Sequence, residues 1–320
     1  MSQELNDKLS ALKARASLYN KIRLFFAKKN VLEVETPLLG LTTVTSPYIS
    51  SLQVINSPSN YYLQTSPEYA MKRLLCEYPH QSIYQICKAF RKEEIGSLHH
   101  IEFSMLEWYR LNFSIFDLMN EIEELVNLFK EGHPSFPSLE ITRYTYQEVF
   151  LKYLNIDPLE ISYSDLLIKF KELIIFQSED SYNQLDFDDM LQQLFCKYIE
   201  PNLQAVFVYY FPKSQAALAK INKEDSRCAN RFELYLNGIE IANGYDELLD
   251  AISYRKRFAD ENKIREENGV DIIEFDHTFL AALENSNNLP NCSGVALGLD
   301  RILMYTLSYI NIEDVISFRF

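Results

Sequence analysis

The sequence predicts an α+β fold, an antiparallel sheet backed by helices. Three observations carry that expectation. Alternating segments come in adjacent pairs joined by short turns, most plainly 230–236 and 239–245 across Asn237-Gly238, a dipeptide suited to a two-residue hairpin. Long helical patterns precede and separate these pairs. No strand–helix–strand rhythm, internal repeat or Gly/Ser/Pro-rich linker divides the 320 residues. Residues 1–320 therefore read as one domain, with a helical insertion around 114–200.

The elements follow in order. Leu5, Leu9, Leu12, Ala16, Tyr19, Ile22 and Phe26 form one apolar face of a long first helix ending near Asn30. VLEVE (31–35) alternates as a strand and stops at Thr36-Pro37. LQVI (52–55) and YYLQT (61–65) flank a turn and predict a hairpin. Ser66-Pro67-Glu68 opens a helix, with Ser66 as cap, Pro67 first inside it and an acid in the first turn. Residues 82–90 and 102–111 are strands around a polar loop, 91–101. Helical pattern then runs to about 199, broken at 132–137 and at Asp157-Pro158. A strand at 205–210 precedes the Asn237-Gly238 hairpin, and a charged helix spans 246–268. Residues 292–300 run from strand into turn, and 301–310 form a closing helix.

Composition excludes several classes. Lys and Arg number 31 against 45 Asp and Glu, a net charge of −14, so no cationic excess exists to neutralise a long stretch of nucleic acid. The 47% hydrophobic content rules out disorder. Five scattered cysteines without a C-x-x-C spacing suit a reducing cytosol better than a disulfide framework. The five histidines form no zinc-type pair. Neither a signal peptide nor an 18-residue apolar run is present, so the expected location is the cytoplasm, without a membrane span.

Only 8 residues are glycine, and five of them (Gly96, Gly238, Gly244, Gly294, Gly298) fall in three segments, 90–103, 233–248 and 293–301. In the first, Arg91 at a strand end can grip a phosphate or carboxylate at two points, and Phe103 can stack on a base. A solvated hairpin loop fits the same residues. In the second, Glu240 and Glu247 could hold Mg²⁺ beside a phosphate, or be ordinary surface acids. In the third, Gly294 and Gly298 flank Ala296 and let a ligand approach the backbone, with Arg301 placed to meet a nucleotide.

Taken in order, these segments resemble motifs 2 and 3 of class II aminoacyl-tRNA synthetases, and VLEVETPLL (31–39), with Pro37, resembles motif 1. TSPEYAMKRLL (65–75), EFSMLEWY (102–109) and IANGYDEL (241–248) are similar to the lysyl branch. From about residue 10 onward the chain is more similar still to that branch's tRNA-independent paralogues, ligases that place (R)-β-lysine on elongation factor P. Lysyl-tRNA synthetases carry an anticodon-reading OB-fold ahead of the motif 1 helix, which here starts within ten residues of Met1. With the acidic charge, this sets the expectation that tRNA is not the acceptor. Ala296 also stands where the lysyl synthetases have the middle glycine of Gly-x-Gly-x-Gly.

The resemblance implies ATP and Mg²⁺ as cofactors, β-lysine as substrate, elongation factor P as acceptor, and a homodimer formed around Pro37. It implies Arg91 on the α-phosphate and Glu93 on the adenine edge. Phe103 and Arg301 would cover the two faces of the ring, Arg301 also reaching the γ-phosphate. Lys92, His100, Glu240, Ile241 and Gly298 complete the ATP-binding set, and Glu240 and Glu247 hold the metal. Ser66, Pro67, Glu68, Glu102, Tyr109, Asn243, Glu247 and Ala296 are the implied substrate positions. Lys92 and His100 depart from the usual R-N-E and H-N-P-E-F, which leaves the role at position 100 open, since histidine titrates. Trp108, Cys87 and Cys292 read as packing residues, and Tyr109 could be one too. The rival readings are a synthetase acting on tRNA, a non-catalytic amino-acid-binding regulatory paralogue and a free-standing amidating enzyme.

Overall fold

The structure is a computed structural model that describes residues 3–56, 59–92, 95–130, 140–175 and 185–318. In chain order its elements are α1 (Gln3–Lys28), β1 (Leu32–Glu33), β2 (Leu39–Gly40), β3 (Gln53–Asn56), β4 (Ser59–Leu63), α2 (Glu68–Glu77), β5 (Ile83–Phe90) and β6 (Glu102–Leu111). Then come α3 (Ile115–Lys130), β7 (Thr142–Thr145), α4 (Tyr146–Leu154), α5 (Tyr163–Leu173), α6 (Phe187–Leu194), β8 (Ala205–Tyr209), β9 (Arg231–Leu236) and β10 (Ile239–Asp246). The last are α7 (Ala251–Glu267), α8 (His277–Asn285), β11 (Cys292–Gly298) and α9 (Leu299–Leu307).

The chain divides into two compact units, Met1–Ser138 with Asp246–Phe320, and Leu139–Tyr245. The first carries strands in the order β1-β5-β6-β11, antiparallel except for β1 against β5, and a small antiparallel sheet, β2-β4-β3. The second carries β10-β9-β8-β7, antiparallel except for β7 against β8. Its core gathers Tyr146, Phe150 and Phe195, with the Tyr146 and Phe195 rings stacked at 5.6 Å.

Strand β6 organises the first unit, because successive side chains leave on opposite faces. Ser104, Leu106 and Trp108 lie on the face covered by α1 and α3. Trp108 meets Phe26 edge-on at 5.5 Å, and its indole N–H donates to Glu121 at 3.0 Å. On the same face Arg15 of α1 donates to Asp300 at 2.5 Å, to the Ser104 hydroxyl at 3.2 Å and to the Val315 carbonyl at 2.8 Å. Asp300 in turn accepts the Ser104 backbone N–H at 2.6 Å. Helix α1, strand β6 and the start of α9 are thus joined through one nearly buried ion pair. Trp108 and Cys292 are buried as expected, while Cys87 is only half-buried.

Several expectations need correction. The strand expected at 31–35 pairs only over Leu32–Glu33, since Thr36 turns inward to donate to Gln85 at 2.9 Å. The cap of α2 is Pro67, whose carbonyl accepts from the Met71 N–H at 2.9 Å; the Ser66 hydroxyl sits 3.4 Å from the Glu68 nitrogen. Strand β7 interrupts the stretch expected to be helical, and a Thr145–Glu148 capping box then starts α4. Residues 246–250 are not helical, because Asp250 caps α7, and α8 was not expected at all. The Asn237-Gly238 turn forms as expected, with φ of 51° and 71°. The breaks expected at 132–137, and part of the 57–60 turn, lie outside the described residues. Among the described residues no helix is long and apolar enough to cross a membrane.

Arg15→Met would leave Asp300 buried without its cation. Loss of one partner of such a pair costs about 3–5 kcal/mol, and urea denaturation should show a fall in midpoint of corresponding size. A midpoint unchanged from wild type would remove the pair from the framework.

Candidate active site

The other face of β6 carries the candidate site. Register across β5, β6 and β11 sets Ile83, Tyr109 and Gly294 in one row, Gln85, Glu107 and Ala296 in the next, and Cys87, Met105 and Gly298 in a third. Directly opposed side chains share a face, so the small residues of β11 flank a column of Tyr109 and Glu107. At Gly294 any Cβ would collide with the Tyr109 ring and the Glu247 carboxylate, so the chain's own packing demands glycine there. At Gly298 an added carbon would meet only Arg301, at an ordinary 3.6 Å.

Acidic groups concentrate at this column. Glu107 is 3% exposed; its Oε1 accepts from the Tyr109 hydroxyl at 2.7 Å, and its Oε2 is buried without a hydrogen-bond partner among the described residues. Burial, and then the charge of Glu68, push the Glu107 carboxyl up to about 8. Lys72 of α2 is 0% exposed and lies 2.5 Å from Glu68 Oε1 and 2.6 Å from Glu247 Oε2. Burial alone would lower its pKa, but Glu247 and Glu68 outweigh that and hold the ammonium well above its usual value. The Nζ also stands over the rings of Tyr109 (5.8 Å) and Tyr254 (5.4 Å). A cavity of about 460 Å³ reaches Ser66 and Glu68 from the side of Thr65, Tyr69 and His277.

A second group of side chains in the same unit suits a nucleotide. Phe103 lies opposite Ala89, which leaves its ring uncrowded, and the Arg91 guanidinium stands over that ring at 5.1 Å. Arg301, at the start of α9, donates to His99 Nε2 at 2.8 Å and toward the Leu98 carbonyl at 3.5 Å. The ring that could cover a base therefore already holds a cation, and the second arginine is tethered to the 91–101 loop. His100 turns its Nδ1 to the Glu102 carbonyl, 2.8 Å away, and Lys92 is exposed. Glu93 lies outside the described residues.

The sequence-derived positions sort accordingly. Glu68, Tyr109, Glu247 and Ala296 gather on the β6 column, and Arg91 gathers with Phe103. Ser66 and Pro67 shape the start of α2. Glu102 is turned to the other face: it differs from Glu107 by an odd number of residues, and its carboxylate pairs with Lys88 at 3.2 Å. Glu107 is the acid that the column contains, and strand parity counted from Phe103 and Tyr109 was the signal that identifies it. Lys72 was missed as well, because its partner Glu247 is remote in sequence.

In the second unit, Glu240, Ile241 and Asn243 sit on β10, where the register shifts between Glu240 and Ala242 and leaves Ile241 in the bulge, 2% exposed. Asn243 donates to Glu233 Oε1 at 3.3 Å, while its Oδ1 is buried without a hydrogen-bond partner among the described residues. Glu233 is held by Arg231 and the Tyr235 hydroxyl. Among the described residues no three metal-ligating side chains cluster. The carboxylate of Glu247 is engaged by Lys72, and Glu240 is half-buried on β10; Mg²⁺ takes one or two protein carboxylates and otherwise phosphate and water, so a site on Glu240 would ask for no larger cluster.

A sheet with an acidic column at one end of its strands and an arginine–phenylalanine platform at the other is the setting of an amino-acid-activating site. Residues 4–319 match the model of the class II tRNA synthetases of the D, K and N type, and the chain belongs to that family. It is 44% identical over 321 residues to an elongation factor P–(R)-β-lysine ligase of Pseudoalteromonas translucida (strain TAC 125), covering 97% of this chain and 95% of that one. A ligase of the same name from Histophilus somni (strain 2336) is 43% identical over 317 residues, covering 96% and 94%. Another, from Buchnera aphidicola subsp. Schizaphis graminum, is 41% identical over 319 residues, covering 97% and 95%.

Two measurements check this geometry. Gly294→Ala should displace the Tyr109 ring and weaken amino-acid binding by at least about tenfold, roughly 1.4 kcal/mol, leaving ATP affinity in place. Unaltered amino-acid binding would mean that the column can yield. The folded chain keeps the Glu107 proton up to about pH 8, while the unfolded chain loses it near 4.5, so this group's stabilising contribution falls as pH rises between those values. Glu107→Gln should therefore melt progressively higher than wild type as pH is raised from about 5 to about 8. Parallel melting curves across that window would place an ionised, paired Glu107 in the fold.

Proposed function

We propose that this chain activates (R)-β-lysine with ATP and transfers it to the ε-amino group of a lysine on elongation factor P. The observation that carries the reading is the Oε2 of Glu107 beside the Tyr109 hydroxyl, a buried carboxyl oxygen with no hydrogen-bond partner among the described residues, whose proton an entering ammonium would displace. An amino acid with a remote ammonium group supplies one. The names of the relatives supply the particular diamino acid and acceptor.

The chemistry follows from the weakness of a carboxylate as an electrophile. The substrate carboxylate oxygen attacks the α-phosphorus of ATP in line, forming the acyl–phosphate bond as pyrophosphate leaves. The acceptor amine then attacks the carbonyl, loses its proton, and AMP leaves. Positioning and charge stabilisation do most of such work. Arg91 leaves the Phe103 ring for an α-phosphate oxygen, and adenine takes its place. Arg301 exchanges His99 for the γ-phosphate and covers the other ring face. Glu93 reads the adenine edge, and Lys92, His100, Ile241 and Gly298 complete the ATP-binding set. Glu240 is the carboxylate that suits Mg²⁺, which when bound neutralises phosphate charge; Glu247 serves the amino-acid side. Asn243 serves the substrate carboxylate.

Ala296, opposite Glu107, adds one methyl beside the ammonium position, a difference worth about 1–3 kcal/mol between close isomers. We also propose a homodimer through the segment around Pro37, where Leu32, Leu38, Leu39 and Leu41 are all at least 40% exposed. A cytoplasmic location goes with ATP and a translation factor as substrates.

ATP–pyrophosphate exchange with (R)-β-lysine and with α-lysine, followed by transfer to elongation factor P or tRNA, tests the reading. Exchange should favour the β isomer, and transfer should reach the protein alone. Absence of exchange with either isomer would overturn the proposal, and charging of tRNA would favour the synthetase reading. Arg301→Ala should slow exchange about 10²–10³-fold, the loss typical of one preorganised donor to developing charge. An unchanged rate would take Arg301 out of the site.

A further inference from the structure

The tip of the 91–101 loop is a tight backbone turn. Gly96 and His99 exchange N–H to carbonyl bonds at 3.1 and 3.3 Å around Ser97-Leu98. At the base of the loop, the Arg91 N–H donates to the Ile101 carbonyl at 3.0 Å. Two elements grip the tip from outside. Arg301 of α9 donates to His99 Nε2 and toward the Leu98 carbonyl. The Ile312 N–H donates to the Ser97 carbonyl at 2.7 Å. Buried Ile312 opens a single 3-10 turn, Ile312–Asp314, and the Asn311 side chain caps that turn by accepting the Glu313 N–H at 3.0 Å. The Ile312 carbonyl accepts from the Val315 N–H at 3.1 Å, and the Val315 carbonyl accepts from Arg15 at 2.8 Å. The loop tip is thus tied, through the residues that follow α9, to the Arg15–Asp300 pair.

The two grips differ in kind. A guanidinium held by a histidine and a carbonyl has more to gain from a phosphate, because a bond between two charged groups is the stronger one. The Ile312 bond joins two backbones and involves no charge that a phosphate could draw away. We infer that Ile312 is a positioning residue: its N–H keeps the 96–99 turn in place when Arg301 is drawn to ATP, so that the loop between Arg91 and His100 stays formed around the triphosphate. The inference rests on the ATP reading given above. Ile312 acts through Ser97 and not on a reacting group.

The test is binding of ATP and of (R)-β-lysine to Ile312→Pro and Ile312→Ala. Proline removes this one donor, and the position suits it. Ile312 is the first residue of its turn, where proline is favoured, and Asn311 before it is extended, with φ −126° and ψ 132°, as proline requires of its predecessor. Ile312→Ala trims the side chain further but keeps the N–H. The ATP Kd should be at least about threefold higher for Ile312→Pro than for Ile312→Ala, the order of one backbone hydrogen bond, while the diamino-acid Kd of the two should agree within about twofold. A merely structural role would weaken both ligands alike. Equal ATP Kd values in the two variants, or a parallel loss of diamino-acid binding, overturns the inference. Should Ile312→Pro fail to fold, hydrogen exchange in the wild-type chain decides: the Ile312 amide should exchange no faster with ATP bound than without it, and faster exchange overturns the inference. Wild-type ATP binding is the control: its absence counts against the functional reading, whereas its presence with equal ATP Kd values in the variants counts against Ile312 alone.

Discussion

Strand β6 must keep two incompatible environments apart within the thickness of one backbone. On one side, Trp108, Leu106 and the Arg15–Asp300 pair are sealed by α1 and α3. On the other, Glu107 and Tyr109 lie beside the buried charges of Lys72, Glu68 and Glu247. Neither arrangement survives a one-residue slip of register, because the slip would put the indole in the pocket and the carboxylate in the core. The ion pair from α1 resists such a slip from behind, since Asp300 holds both the Ser104 backbone N–H and the start of the helix that bears Arg301.

The surroundings of the β6 column also show how an acidic chain buries carboxylates without becoming merely a negative surface. Buried carboxylates are costly unless paired, so most of the acids here have definite cationic partners. Lys72 answers Glu68 and Glu247, Lys29 and Arg110 lie near Glu121, and Arg231 answers Glu233 in the second unit. Glu107 is the departure from that pattern within the β6 column. The closeness of Gly294 to Tyr109 and Glu247 leaves no room for a side chain at this level of the column, and the neighbouring level sets Ala296 opposite Glu107.

How far the sequence could be read depended on whether the deciding contact was local. Asn237-Gly238 was legible because a two-residue turn with positive φ at both positions is written into those residues alone. The strands at 83–90 and 102–111 were legible from their pattern. Strand β7 was not, since four residues of TRYT give too short a pattern, and parallel pairing with β8 makes it a strand. Short, weakly patterned α8 is fixed by packing on α2 and α7. Within the site, Arg91, Phe103, Tyr109 and Glu247 were named by resemblance; the structure places Arg91 over Phe103, and Tyr109 and Glu247 beside Lys72. Glu102 was a position implied by resemblance and Glu107 was not considered; both are acids in one strand, and the alternation of faces separates them. Lys72 looks like any helical lysine until the fold brings Glu247 to it.

The arginine lying on Phe103 has a wider meaning. An uncovered aromatic face near an opening is an indiscriminate surface, ready to stack with any flat molecule that diffuses in. By lying on it, Arg91 makes occupation of the ring an exchange rather than an addition. A nucleobase gains little by displacing the guanidinium unless the freed cation finds a phosphate. Under the proposed ATP reading, the resting molecule would thus read two parts of its ligand jointly, giving more hold to compounds that bring an aromatic ring and an anion at the right separation than to nucleobases or phosphates that arrive alone.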